Sequence, residues 1–413
     1  MFIPAYQCPQ APSPDIFHNT GTNNTAFLRT LERSLPNHFW DLNANHVAVL
    51  LFAAARSSSR TTPAVRSLCA RLSNLYEDAE RVTLDRDSSD LTRSTPFDLE
   101  ILVVVAWSLD RFSRRKLDDA QLKKMVQNLS PSLFHWVDQG TANLADGSKS
   151  LLVSLPPEHY AKLCTAFVCL GNIIKRCPAN VPGEHKEHDI NQRFSHFVEL
   201  VTKACLNDHS SYNMQQSDYE NTTFEMAYEV YIGSSLNVLL SLVDHGYDAT
   251  SAIASYITLI DKLDLQNFQN VDILVQTYIM LTERDYDMTT GNIGPRLLGE
   301  IGRRDLSELT NDQLYRFLCG CSDASIQHLA VLDAIGDAFL QRSHHLPDIP
   351  RTIEILEFFT KLSYHNAPVL EMFVRHVQNN MESATPAHIS SMLQSCRSLQ
   401  FDNPVLEAFN RDK

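Results

Sequence analysis

Glycine is scarce in this 413-residue chain, which holds only 13. So few glycines disfavour Gly-rich phosphate loops and the tight hairpins of an all-β fold. Basic side chains are also in short supply. Only 35 Lys and Arg face 49 Asp and Glu, a formal charge of -14, a poor footprint for a protein that neutralises phosphates over its whole surface. No apolar run approaches the roughly 18–20 residues that span a bilayer. The longest candidate, Leu99 to Trp107, is too short, and no membrane partner is expected. A Gly-x-Ser-x-Gly elbow, a Walker loop, a Gly-x-Gly-x-x-Gly fingerprint and His-Glu-x-x-His are all missing from the sequence, so the chain is expected not to be an enzyme and to need no cofactor. The nine cysteines are irregularly placed and do not read as a disulfide framework. Cys164 and Cys169 lie among apolar residues at helical spacing, as reduced core thiols would.

What is present is helical patterning. Prolines 4, 9, 12 and 14 block regular structure in residues 1–25, which are expected to be extended or disordered. This segment has no arginine and lacks the features of a mitochondrial presequence. From about Thr25, apolar residues recur at i, i+3/i+4 and i+7, as in Tyr160 to Ile174, Met226 to Val243 and Ile353 to Leu362. Start signals precede several runs: Thr95-Pro96, Pro156-Pro157, Thr310-Asn311 and Thr385-Pro386. Polar stretches at Thr83 to Ser94, Gly140 to Lys149 and Cys177 to Asp189 read as loops.

The chain also repeats itself. An aromatic residue followed by a small polar cluster recurs as Gly246-Tyr247-Asp248, Asp285-Tyr286-Asp287, Ser363-Tyr364-His365-Asn366 and Gln400-Phe401-Asp402. Tyr247 to Tyr286 is 39 residues, Tyr286 to Tyr364 is 78, and Tyr364 to Phe401 is 37. The skipped unit, around Cys321 to Ile326, has no aromatic. The helices that follow keep step, with Ala330-Val331-Leu332, Pro368-Val369-Leu370 and Pro404-Val405-Leu406 spaced by 38 and 36. Each unit is predicted to be a helix, a tight turn and an antiparallel helix. One hairpin cannot bury its apolar face alone, so neighbours must stack. The fold expected is all-α, an α-solenoid (superhelix) of antiparallel hairpin repeats of about 37–39 residues. The aromatic is expected to wedge between helices, and the Asp or Asn after it to cap the second helix.

The first-helix pattern Ile353-Glu-Ile-Leu-Glu-Phe-Phe-Thr-Lys-Leu, the Ser363-Tyr364-His365-Asn366 turn and the Pro368-Val369-Leu370 start resemble the heptatricopeptide-type repeats of organellar RNA-metabolism proteins. Octotricopeptide and FAST-kinase-like arrays are relatives of these. The resemblance is clearest over residues 226–413, and Leu99 to Leu129 is similar but weaker. It implies an α-solenoid in a mitochondrion or plastid, engaged in RNA processing, editing, stability or ribosome assembly. The helical-repeat subunits of kinetoplastid mitochondrial RNA-editing complexes are one similar setting. Many such proteins are basic and end in a small RAP domain, whereas this chain is acidic and stops inside a repeat. Both departures favour a scaffold over direct RNA contact.

Charge is unevenly spread. Residues 51–130 carry 13 Lys and Arg against 11 Asp and Glu, whereas residues 131–413 carry 20 against 35. Any RNA contact is therefore expected from Arg56, Arg60, Arg66, Arg71, Arg111, Arg114, Arg115, Lys116, Lys123 and Lys124. The bland alternative is solvated arginines pairing with Asp110, Asp118 and Asp119. Trp107, Trp136 and Tyr160 sit on apolar faces and read as core, while Trp40 is ambiguous. Glu184-His185-Lys186-Glu187-His188, with His196 nearby, offers no cysteine pair at zinc spacing. A solvated loop is the better reading there, and no metal is expected. Cys319-Gly320-Cys321 falls within a first helix and reads as core.

Four segments follow: an extended piece over 1–25, less acidic repeats over 26–176, a loop over 177–190 and acidic repeats over 191–413. The function expected is a non-catalytic scaffold of a mitochondrial ribonucleoprotein, in the matrix, docking other protein subunits of a multi-subunit complex through the acidic surface. Two alternatives stand beside it: a direct RNA-binding adaptor using the basic third, and a cytosolic armadillo- or HEAT-like interaction adaptor.

Overall fold

The computed structural model describes residues 33, 35, 39–56, 63–84, 98–114, 119–145, 151–176, 184–212, 218–284, 286, 288 and 292–402. The segment 1–25 lies outside the described residues, as does the start signal at Thr95-Pro96. Every regular element among the described residues is a helix, so the protein is all-α. The chain forms two compact units, Met1–Leu259 and Ile260–Lys413.

In the first unit the helices are α1 (Ala44–Arg56), α2 (Pro63–Leu84), α3 (Leu99–Ser113), α4 (Asp119–Ala145) and the single turn α5 (Leu151–Ser154). Next come α6 (Pro157–Arg176), α7 (Glu184–Tyr212), α8 (Asp218–Asp244) and α9 (Thr250–Lys262), the last crossing the boundary. They make two rows. Helices α1, α3, α6 and α8 pack each on the next, and α2, α4 and α7 do the same, while pairs such as α1–α2 and α3–α4 join the rows. Tyr160 and Tyr231 lie in the core, 5.6 Å apart between ring centroids. Their hydroxyls are satisfied there: Tyr160 bonds Ser235 Oγ at 2.8 Å, and Tyr231 donates to the carbonyl of Leu155. A buried hydroxyl left unpaired would cost about 1–3 kcal/mol.

The second unit repeats the scheme with shorter helices: α10 (Val271–Thr282), α11 (Ile293–Ile301), α12 (Asn311–Asp323), α13 (Leu329–Gln341), α14 (Ile349–Lys361), α15 (Ala367–Asn379) and α16 (Pro386–Ser398). Helix α10 packs on α12, α12 on α14 and α14 on α16; α11 packs on α13 and α13 on α15. Thr310 and Thr385 begin α12 and α16 through capping boxes with Gln313 and His388. The expected capping after the turn holds at Asn366, whose side chain accepts from Val369 N, and at Asp248, which accepts from Thr250 N.

The recurrent aromatic has a specific backbone role. The amide at its position donates to the carbonyl five residues earlier at every turn described: Tyr247 to Leu242 (3.0 Å), Tyr286 to Leu281 (3.0 Å), Ile326 to Cys321 (3.0 Å), Tyr364 to Phe359 (2.8 Å) and Phe401 to Cys396 (2.9 Å). The preceding residue is left-handed at Gly246 (φ 71°), Ser325 (53°), Ser363 (51°) and Gln400 (54°). This is the Schellman helix stop, whose final residue folds its side chain back onto the last helical turn. The Tyr364 and Phe359 rings duly lie 5.0 Å apart. The unit without an aromatic is therefore in register, with Ile326 filling the position.

Helix α3 begins at Leu99 as expected, and Asp98 caps it, its side chain accepting from Ile101 N. Several local expectations are corrected. Gly140 lies inside α4, and α7 is already helical from Glu184, so the loops expected over 140–149 and 177–190 are in part helix. Pro131 sits within α4. Residues Met226–Asp244 form a 19-residue stretch long and apolar enough to cross a membrane, contrary to the reading that no run comes near that length. Within the protein it is a core helix, packed on α6 and α7, and that packing is the physical reason for its apolarity.

Candidate functional site

The basic positions divide by whether the fold consumes them. Arg71, on α2, turns inward. Its Nε donates to Leu42 O (3.0 Å) and its Nη2 to Trp40 O (2.9 Å). It is buried and so leaves the set of surface candidates: a guanidinium removed from water keeps its hydrogen bonds only by tying down the backbone before α1. Arg114 pairs with Asp110 at 3.0 Å, and Lys124 with Glu77 at 2.9 Å. Arg66 is exposed on α2. Arg60, Arg115 and Lys116 lie outside the described residues, as does the side chain of Lys123.

Asp110 is the centre of a charge cluster. Its side chain is buried, pairs with Arg114 on its own helix and with Arg176 from α6, and Arg176 also donates to Ser113 Oγ at 2.8 Å. Pairing with Asp110 was legible in sequence; the reach of Arg176 across 66 residues was not. At the other end of α3, Lys162 of α6 pairs with Glu100. Cations thus collect in the last turns of α1, α3 and α6, where they complement the helix dipoles.

Arg56 and Arg111 are arranged differently. Phe52 and Trp107 meet with centroids 5.0 Å apart at 44°, bringing α1 and α3 together. The Arg56 guanidinium stands 5.6 Å from the Phe52 ring, and that of Arg111 stands 5.6 Å from Trp107. Of the other aromatics, Tyr160 is core as expected, Trp107 and Trp136 are half-buried, and Trp40 is 71% exposed.

In the second unit, sequence reasoning missed a ladder of long side chains at repeat spacing. On the first-helix row, Glu283 pairs with Arg316 (2.8 Å) and Asp312 with Arg351 (2.9 Å). Tyr315 donates to Glu354 (2.6 Å), and Lys361 pairs with Asp323 (3.6 Å). The Glu354 bond is the main reason the Tyr315 hydroxyl is pushed up to about 12. Arg304 donates to Gln266 O at 2.7 Å, 38 residues back, and Arg342 donates to Ser307 O. The signal was an Arg recurring 38 positions apart. An open groove of about 390 Å³ lies between the last two turns, lined by Thr360, Ser363, His365, Ser398, Leu399 and Gln400. His365 donates from Nδ1 to Leu399 O at 2.8 Å.

Among the described residues no three His, Cys, Asp or Glu side chains converge as a metal site. His185 and His188 fall on α7, not on a loop, with side chains outside the described set, and His196 is exposed. Cys69, Cys164, Cys169, Cys205, Cys321 and Cys396 are buried and are not in disulfides. Burial pushes Cys69, Cys169 and Cys321 up to about 12, and Cys319, half-buried beside Asp323, to about 11, the behaviour of inert core thiols. No protein-family model and no curated protein matches this sequence.

Proposed function

We propose that the stacked hairpins form an α-solenoid and that the protein works as a non-catalytic scaffold, assembling other subunits of a ribonucleoprotein. The observation that carries this reading is the packing order. In each unit first helices pack on first helices and second helices on second helices, a scheme that leaves extended faces rather than one closed cleft. A mitochondrial RNA-processing or editing complex is the setting that the repeat resemblance adds. Direct RNA binding is the weaker reading, because Arg71, Arg114 and Lys124 have internal partners and a phosphate-tracking surface needs free cations.

Affinity purification of the full chain from its organism, with and without nuclease, tests the proposal. A defined set of proteins retained after nuclease, recovered from an organellar fraction, is expected. Loss of every partner on nuclease treatment would overturn it. So would low-salt RNA binding by the purified protein that is abolished by reversing Arg114, Arg115 and Lys116.

A further inference from the structure

We propose that the patch formed by Arg56, Phe52, Trp107 and Arg111 docks an acidic, partly apolar segment of a partner protein. The inference rests on the scaffold reading and adds to it a surface and the chemistry that surface takes. Phe52 and Arg56 lie four apart on α1, and Trp107 and Arg111 four apart on α3, so each pair shares a helix face. Both guanidiniums stand 5.6 Å from their ring centroids, and the rings touch each other. Stacking on a ring restricts a guanidinium's motion while leaving its N–H edge open to oxygen acceptors. The entropy of ordering is thus spent before any partner arrives.

Neither arginine has a carboxylate partner among the described residues, whereas Arg114 and Arg176 are both held by Asp110. Arg111 Nε is sealed from solvent, so only the Nη groups of that side chain are left for a partner. A partner carboxylate accepts from the outer Nη groups of the two guanidiniums. Val49 stands one turn before Phe52 on the same face and is 64% exposed, so an aliphatic or aromatic side chain of the partner has an apolar seat beside the cations. A nucleic-acid strand fits less well. It needs a run of free cations, and Arg114 and Arg176 on this helix row are already held by Asp110.

Fluorescence anisotropy with the full chain tests the proposal. Three labelled probes are used: an octapeptide alternating Glu with Leu and Phe, its counterpart with Lys for Glu, and a twelve-residue oligouridylate. Saturable binding of the acidic peptide alone is expected, weakened at least tenfold in R56A/R111A and also weakened in R111K, which keeps the charge but loses the fork. The exposed R303A is expected to bind as wild type, and circular dichroism checks that every variant folds. Equal binding by wild type and R56A/R111A overturns the proposal, as does no saturable binding at millimolar peptide. Oligouridylate binding lost in the same double variant assigns the patch to nucleic acid instead. Co-purifying partners that are indifferent to R56A/R111A remove this surface while leaving the scaffold reading intact.

Discussion

The two units solve one packing problem with different regularity. In the first, helices reach 27 residues in α4 and α8 and 29 in α7, and singular polar contacts join distant positions: Tyr160 to Ser235, Tyr231 to Leu155, Arg176 to Asp110. In the second, α12 to α16 are each 13 residues long, and the contacts between repeats recur at steps near the repeat length, with Asp312–Arg351 and Tyr315–Glu354 both 39 apart. Exposed pairs of this kind contribute about 0–1 kcal/mol each. They fix which hairpin follows which, while stability comes from buried side chains such as Phe317, Phe339 and Phe359. Periodic contacts set register, and singular ones set a unique core.

The sharpest way to break the comparison is Phe359→Ala. It should cost about 3–5 kcal/mol, read by denaturant unfolding. Because stacking is between neighbours, hydrogen exchange should speed up in residues 260–402 and stay unchanged in the first unit; equal loss in both units would make them one cooperative block. Next, Asp110→Ala strands two guanidiniums and should cost about 1–3 kcal/mol, a range below a fully buried pair because both arginines are partly solvated. Asp312→Ala should cost under about 1 kcal/mol. Similar values for the two would erase the distinction between singular and periodic pairs.

The shared helix stop predicts opposite signs. Ser363→Gly should stabilise by about 0.5–1 kcal/mol, since glycine occupies a left-handed backbone without penalty. Gly246→Ala should destabilise by about 1–2 kcal/mol, and thermal melts of both variants decide the matter. The smallest effect concerns pH. Burial pushes the Asp272 carboxyl above its usual range, opposed by a hydrogen bond from Gln276. Folding therefore favours its neutral form, and the penalty appears as pH rises from the ordinary carboxylate range through the raised value. Asp272→Asn should melt higher than wild type at pH 7 and level with it at pH 3; a gap that closes with rising pH would contradict the assignment.

Much of this was legible beforehand. Thr310 and Thr385 announced their helices, and the 37–39 residue step located the turns at Tyr247, Tyr286, Tyr364 and Phe401. The capping by Asp248 and Asn366 was legible, but the backbone bond that closes the helix was not, and Ile326 makes that bond as Tyr364 does. The polar run from Glu184 hid a helix, since its apolar face is not established until Phe194 and Phe197. Arg56, Arg71, Arg111 and Arg114 looked alike as letters. Arg71 is buried and bonded to backbone carbonyls beside Phe39 and Trp40, Arg114 is bound to Asp110, and Arg56 and Arg111 stand on Phe52 and Trp107.

Periodicity, caps and turn spacing are short-range properties, so the chain alone carried the all-helical class and the hairpin step. Which arginine keeps a free edge depends on side chains tens of residues away, as Asp110 and Arg176 show. Desolvation and pairing of charge are properties of packed neighbours, and only the folded arrangement supplies those neighbours.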